Sequence, residues 1–310
     1  MLHFGELEPR KDATVLNLFI EAIGFGIVSG AVLAIGAMGF SLQFGMTNVL
    51  NLAYGSLMSM GALVAFLLTE QGISIWIAAL LAAVAVALVS LFIGTTLYRA
   101  FARRGAQLFT MAILSVAVSL VVDFGMGAIT RSNVYQFAFP QGTSHDWGGM
   151  VFTTTQLIIV GAAIVIVGSL EVMLHYTKLG IAIRATAANT LLARSSGIRT
   201  TQVVTLTWLI SGALCGLGGV ALAISYLTVS FQTGTTFLPY ILAAVIMAGI
   251  GAVGYAALAA LILALAIQIS GAFGAAQYNV VIAVGVLLAM LMFRPQGFFG
   301  ELWEKVNVTA

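Results

Sequence analysis

Of 310 residues only 7% are charged, 61% are apolar and the formal net charge is +2. Ordinary soluble domains carry about 25% charged residues, so a soluble fold with this much apolar surface and this little charge is excluded. The basic residues lie in separate loops, so they make no patch of the kind that holds nucleic acid.

Residues 1–16 mix charges (Glu6, Glu8, Arg10, Lys11, Asp12) and lack the basic, apolar and cleavage-site order of a signal peptide. A short surface-lying segment is expected there, in a mature chain that starts near Met1. Apolar runs then follow at 17–42, 75–98, 107–130, 153–175, 203–227, 237–252, 254–273 and 277–293, with a shorter one at 56–69. A hydrocarbon layer of about 30 Å takes roughly 20 such residues per helix. The runs predict an all-α polytopic membrane protein with eight or nine transmembrane helices, forming one domain over 17–300 before a short tail at 301–310. The first run is long enough to hide a second crossing. None of the runs alternates in the manner of a membrane β-barrel. The 34 glycines suit close helix–helix approach, and the lone Cys215 reads as a small core residue.

Between the first two runs, Gln43–Ser56 interrupts the apolar pattern with Asn48, Asn51, Tyr54, Gly55 and Ser56. Non-helical backbone at membrane depth is tolerated only where protein or a water-filled cavity satisfies it. A broken or re-entrant segment near 43–56, lining a solute path, is therefore expected, against the plainer reading of a loop between helices. Ser230–Thr236 is a second such interruption. Three carboxylates fall within runs: Glu21, Asp123 and Glu171. Intramembrane carboxylates are candidates for function. All three also lie near helix ends, where a bond to a neighbouring helix is cheaper. Asp123 joins the candidate path.

Basic residues collect on the cytoplasmic side of membrane helices. Placing Arg99, Arg103, Arg104, Lys178, Arg184, Arg194, Arg199, Arg294 and Lys305 inside assigns nine of the 12 basic residues to the cytoplasm and agrees with the number of intervening spans. The 131–152 loop and the C-terminus then face outside and inside respectively, and counting back puts the N-terminus outside. The polar, helix-sized piece Thr177–Arg199 stands out on the inner side. An amphipathic segment of that kind docks in a groove of a partner protein through its apolar face, with Arg184 and Arg194 adding charge complementarity.

No GxxxxGK[ST] stretch is present to hydrolyse nucleotide, no HExxH or CxxC pair to hold metal, and no GxSxG elbow for a hydrolase. A transport role is favoured over an enzyme.

Three blocks resemble the permease subunits of branched-chain amino acid-type ABC importers, closest to the LivH branch. Gly36–Phe40 through Asn51-Leu52-Ala53-Tyr54-Gly55 is similar to that family's opening helix and its I-N-F-A-H-G turn. Thr177-Lys178-Leu179-Gly180, Arg184-Ala185-Thr186-Ala187 and Gly197-Ile198 resemble its cytoplasmic R-x-G-R-A-x-R-A loop. Gly249-Ile250-Gly251 and Phe293–Gly300 resemble its glycine turn and terminal R-P-x-G-L-x-G. The resemblance implies a compact type II importer fold. It also implies two cytoplasmic ATPase subunits that bind ATP and Mg, a second permease subunit (LivM-like or a second copy) and an extracytoplasmic solute-binding protein, in a bacterial inner membrane. This chain would hold no cofactor of its own. Leu179, Gly180, Arg184, Ala185, Asn189, Arg194, Gly197 and Ile198 would form the coupling segment that meets the ATPases.

The chain departs from that pattern at Tyr54 (commonly histidine), Asn189 (often aspartate), Ala248 (glycine), Gly254 (proline) and Ile267 (often glutamate). Tyr54 bears on cargo, since such permeases also carry urea, short amides and aromatic solutes. The rival readings are an ion-gradient-driven secondary transporter and a solute channel.

Overall fold

The computed structural model describes residues 15–137, 139–147, 150–249, 251–294 and 297–298. The expected surface segment and C-terminal tail lie outside these, apart from residues 15–16, which already belong to the first helix.

Helix α1 (Val15–Thr47) leads into α2 (Tyr54–Glu70), and α3 (Ile75–Ile93) continues through a π-helical turn, Gly94–Tyr98, into α4 (Arg99–Arg103). α5 (Leu108–Thr130) is followed by three short strands, β1 (Tyr135–Gln136), β2 (Ser144–Trp147) and β3 (Met150–Thr153). Then come α6 (Thr154–Tyr176), α7 (Lys178–Ala188), α8 (Thr190–Ser195), α9 (Thr200–Tyr226) and strand β4 (Thr228–Val229). α10 (Thr233–Ala248), α11 (Val253–Ser270) and α12 (Asn279–Phe293) complete the fold, with a π and a 3₁₀ turn between the last two.

Among the described residues six helical stretches are long and apolar enough to cross a membrane, and α2, α10 and α12 are shorter apolar helices. Together they recover the nine expected runs in order. α1 is one uninterrupted helix of 33 residues, about 50 Å long at 1.5 Å per residue, so the first run holds a single crossing.

α9 is the central post. Of its apolar window 72% is buried, against 22% for α6. It packs on α1, α2 and α3, while α1 also runs along α11. Lipid gives helices no hydrophobic drive to associate, so small residues that let backbones touch set the packing. At Gly219 an added Cβ would run into the Met58 carbonyl oxygen of α2.

The strands are an addition to the all-α expectation. β2 pairs antiparallel with β3, and β1 pairs with β4, tying the end of α5 to the end of α9. The β2–β3 signal in the sequence is weak: Gly148-Gly149 has the two-residue spacing of a hairpin, but Ser144-His145-Asp146-Trp147 before it has little strand character. It was masked by the apolar runs on both sides.

Gly219→Val is expected to lower stability by about 2 kcal/mol through overpacking, read as loss of monodisperse, thermally stable protein in detergent. Gly161→Val on α6, where an added Cβ meets nothing within 4 Å, serves as the tolerated comparison. Equal tolerance at both positions would contradict the packing.

Candidate functional site

The interruption between α1 and α2 is narrower than expected. Gln43–Thr47 and Tyr54–Ser56 are helical, and only residues 48–53 leave the helix. α1 ends on Asn48 in the left-handed conformation (φ 52°), with its N–H donating to the Phe44 carbonyl at 2.8 Å. Asparagine tolerates that conformation better than most residues. The chain then turns back into the protein, with Asn51 and Ala53 buried.

Buried backbone must find partners, and here neighbouring helices supply them. The Leu52 N–H donates to Ser115 Oγ of α5 at 3.1 Å. Cys215 Sγ of α9 lies 3.2 Å from the Tyr54 carbonyl. The Tyr98 hydroxyl donates to Asn51 Oδ1 at 2.9 Å, and the Tyr98 ring stacks on Trp208 of α9 at 5.1 Å. Tyr54 is packed edge-on against Phe40 and is 1% exposed. Its hydroxyl, Asn51 Nδ2 and Gln43 Nε2 are buried without a hydrogen-bond partner among the described residues.

One turn further on, the start of α2 crosses the start of α10 at backbone contact. An added Cβ on Gly55 would lie 2.8 Å from Thr235 Cα, and the Gly234 N–H, an orphan of the helix start, donates to Ser59 Oγ at 2.8 Å. Beside this crossing lies a polar node. Thr235 Oγ1 donates to Asp123 at 3.1 Å, and the Ser56 and Ser119 hydroxyls meet at 2.6 Å. Ser119 Oγ lies 3.5 Å from Asp123 Oδ2. The structure thus joins Gly55, Ser56 and Asp123, with Tyr54 next to Gly55 and Asn51 about one turn before it. Asn48 is apart from them, exposed beside a cavity of about 460 Å³ that it shares with Arg184 and Gly251.

Ser115, Ser119 and Thr235 were not singled out from the sequence. The first two stand at i, i+4 and i+8 with Asp123 on α5, a polar stripe legible by helical spacing. Thr235 had no comparable signal. Of the other carboxylates, Glu171 lies 3.1 Å from His175 one turn along α6 and abuts Gly254 at the start of α11. Glu21 is half-buried in α1.

The expected coupling segment is two helices, not one. Thr177 caps α7 by accepting the Gly180 N–H at 3.1 Å, and Asn189 caps α8 by accepting the Leu192 N–H at 3.0 Å. An added Cβ on Gly180 would strike the Leu174 and Met173 carbonyl oxygens, so glycine lets α7 fold back on the end of α6. Gly180, Ile183 and Thr186 are buried, and Leu179 and Ile198 pack against the core. Ala185 is half-buried and Gly197 (φ 85°) makes the turn toward α9. The buried and half-buried residues of this set seat the segment rather than face outward, whereas Asn189 and Gly197 are exposed. Arg184, expected as an outward charge, is half-buried with a buried Nε. Arg194 is exposed. Apolar residues also stand outward beside it: Ile181, Leu191 and Leu192 are 54%, 79% and 64% exposed. The sequence reading missed them because they looked like ordinary apolar residues of a helix.

Residues 22–291 match the family model described as "Branched-chain amino acid transport system / permease component". Among curated relatives, the branched-chain amino acid permease LivH of Salmonella typhimurium is 23% identical, covering 91% of this chain and 96% of its own length. BraD of Pseudomonas aeruginosa is 26% identical with the same coverage. The probable LivH of Methanocaldococcus jannaschii is 29% identical, covering 91% of this chain and 92% of its own.

Thr235→Val removes the hydroxyl that donates to Asp123 and is expected to lower stability by about 1 kcal/mol, whereas Thr235→Ser preserves it. Thermal unfolding in detergent checks this, and equal midpoints for the two variants would argue against the bond.

Proposed function

This chain belongs to the branched-chain amino acid transport permease family, and we propose from that premise that it is the membrane-spanning permease subunit of an ATP-binding-cassette importer. It resides in the bacterial cytoplasmic membrane with its C-terminus inside. Its partners are two cytoplasmic ATPase subunits, which bind ATP and Mg, a second permease subunit (LivM-like or a second copy), and an extracytoplasmic solute-binding protein. Its cargo is a small polar or amphipathic solute: a branched-chain or other amino acid, or a related amide, urea or aromatic compound.

The observation that carries this reading is the apolar face of α7 and α8. Ile181, Leu191 and Leu192 stand in the most basic part of the chain between Lys178 and Arg199. Exposed apolar clusters rimmed by charge are typical of protein-binding faces, and an amphipathic helix in a groove is the usual mode. The docked ATPases move this segment as they close. Arg199 leads directly into α9, and α9 touches α2 at Gly219 and Met58, so displacement of α9 reaches the crossing of α2 and α10.

The permease performs no covalent step. Its work is to shift between outward-open and inward-open states, each favoured by different partners. In the arrangement described, Tyr54 is packed and the path is closed beside it. The unpartnered Tyr54 hydroxyl, Asn51 Nδ2 and Gln43 Nε2 support a path there, because buried polar groups ordinarily have partners. Water or cargo supplies them when the helices part. The Ser56–Ser119–Thr235–Asp123 node lies on the same route.

Three measurements test the proposal. The Leu191→Asp, Leu192→Asp double variant is expected to cut ATP-driven uptake by the assembled complex at least tenfold while the permease stays folded. Unchanged coupled uptake would remove the docking role. Tyr54→Phe is expected to alter uptake rate or cargo preference, and a wild-type profile would take the hydroxyl off the path. Finally, concentrative uptake by this chain alone in ATP-free vesicles would overturn the importer reading.

A further inference from the structure

Two arginines far apart in sequence meet at one cavity. Arg99 of α4 and Arg194 of α8 both line a hollow of about 260 Å³ between the end of the α3–α4 span and the start of α9. Thr201 adds a hydroxyl, and Trp208 and Val204 form an apolar floor. No acidic residue among the described residues lines it. The ion pair of Glu171 with His175 lies elsewhere. Arg194 has one long contact, from Nη2 to Thr200 Oγ1 at 3.4 Å. A guanidinium carries five donors, so most of the donor capacity of the pair is unused. Two exposed arginines lining one hollow, with no described carboxylate beside them, suit an anion, and arginine forks match the geometry of a phosphate.

We propose that this cavity is a headgroup site for an anionic phospholipid, with the phosphodiester held between Arg99 and Arg194. The site lies where the apolar stretch Ile75–Arg103 gives way to Arg99, Arg103 and Arg104, at the level where lipid headgroups lie. One turn or two back along that span, Phe92 is 64% exposed, facing where acyl chains run. Basic pockets between membrane helices take anionic lipid headgroups, and a cavity with a basic rim and an apolar floor suits an amphipathic ligand better than a free ion. The bound phosphodiester bridges α8 to α4 and so ties the coupling segment to a membrane span. Lipid binding requires only that the chain spans a membrane, so its test stands apart from that of the importer reading.

The test uses the full chain in detergent, titrated with phosphatidylglycerol, phosphatidylcholine or inorganic phosphate, with bound lipid counted by native mass spectrometry and stability read as a thermal midpoint. Phosphatidylglycerol is expected to be retained and to raise the midpoint by several degrees, with little effect from the other two. The Arg99→Gln, Arg194→Gln double variant is expected to lose retention at least fivefold. Arg103→Gln, exposed on the same short helix but outside the cavity, keeps it. Wild-type retention in the double variant, or equal loss in Arg103→Gln, would overturn the site in favour of general charge attraction. Phosphate matching phosphatidylglycerol would overturn the lipid as the source of the anion. Should the double variant fail to fold, Arg99→Lys and Arg194→Lys keep the charge but lose the fork, and unchanged retention in both would equally refute the proposal.

Discussion

A chain that leaves its helix inside a layer of helices must find protein partners for the backbone groups it frees. Here that requirement falls on residues 48–53, and the surrounding structure is arranged to meet it. Ser115 of α5 receives the Leu52 N–H, Tyr98 holds the Asn51 side chain, and Cys215 of α9 approaches the Tyr54 carbonyl. Each partner comes from a different helix. The interruption therefore fixes how α2 sits against α5, α9 and the π-helical turn, and hence where its first residues meet α10.

That meeting is made by close backbone approach. Gly55 and Gly234 let α2 and α10 cross without side chains between them, and the space beside them is filled by three hydroxyls and the carboxylate of Asp123. Polar groups spread over three helices hold a closed arrangement by bonds that are individually modest. Such bonds can be exchanged for bonds to water or solute, which an interlocked apolar core cannot offer. Under the proposed function, such a crossing would hold at rest and yield to a motion delivered from elsewhere.

On the proposed reading, the route from the docking face to that crossing is short. α7 and α8 are fixed to the body by the Gly180 fold-back and the buried Ile183 and Thr186, and they present Ile181, Leu191 and Leu192 outward. α9 follows directly and is the most buried of the long helices. Under the proposed function, a central and well-packed helix would transmit a displacement with little loss, since packed interiors have low compressibility.

Much of this was legible beforehand. Hydropathy alone determined the membrane class, the nine apolar runs and their order, because a bilayer accepts only long apolar helices or closed barrels. Polarity marked out Thr177–Arg199 and the stretch around Asn51, Tyr54 and Ser56, because polar residues amid apolar runs need a reason to be there. Only the tertiary structure decided which of those residues act together. It separated Asn48 from Ser56 and Asp123, joined Asp123 to Thr235 across 112 positions, and turned Leu179 and Ile198 inward while exposing Leu191 and Leu192. The reason is physical: periodicity reports how a helix divides its faces, but whether a face meets lipid, solvent or another helix depends on neighbours that lie far away along the chain.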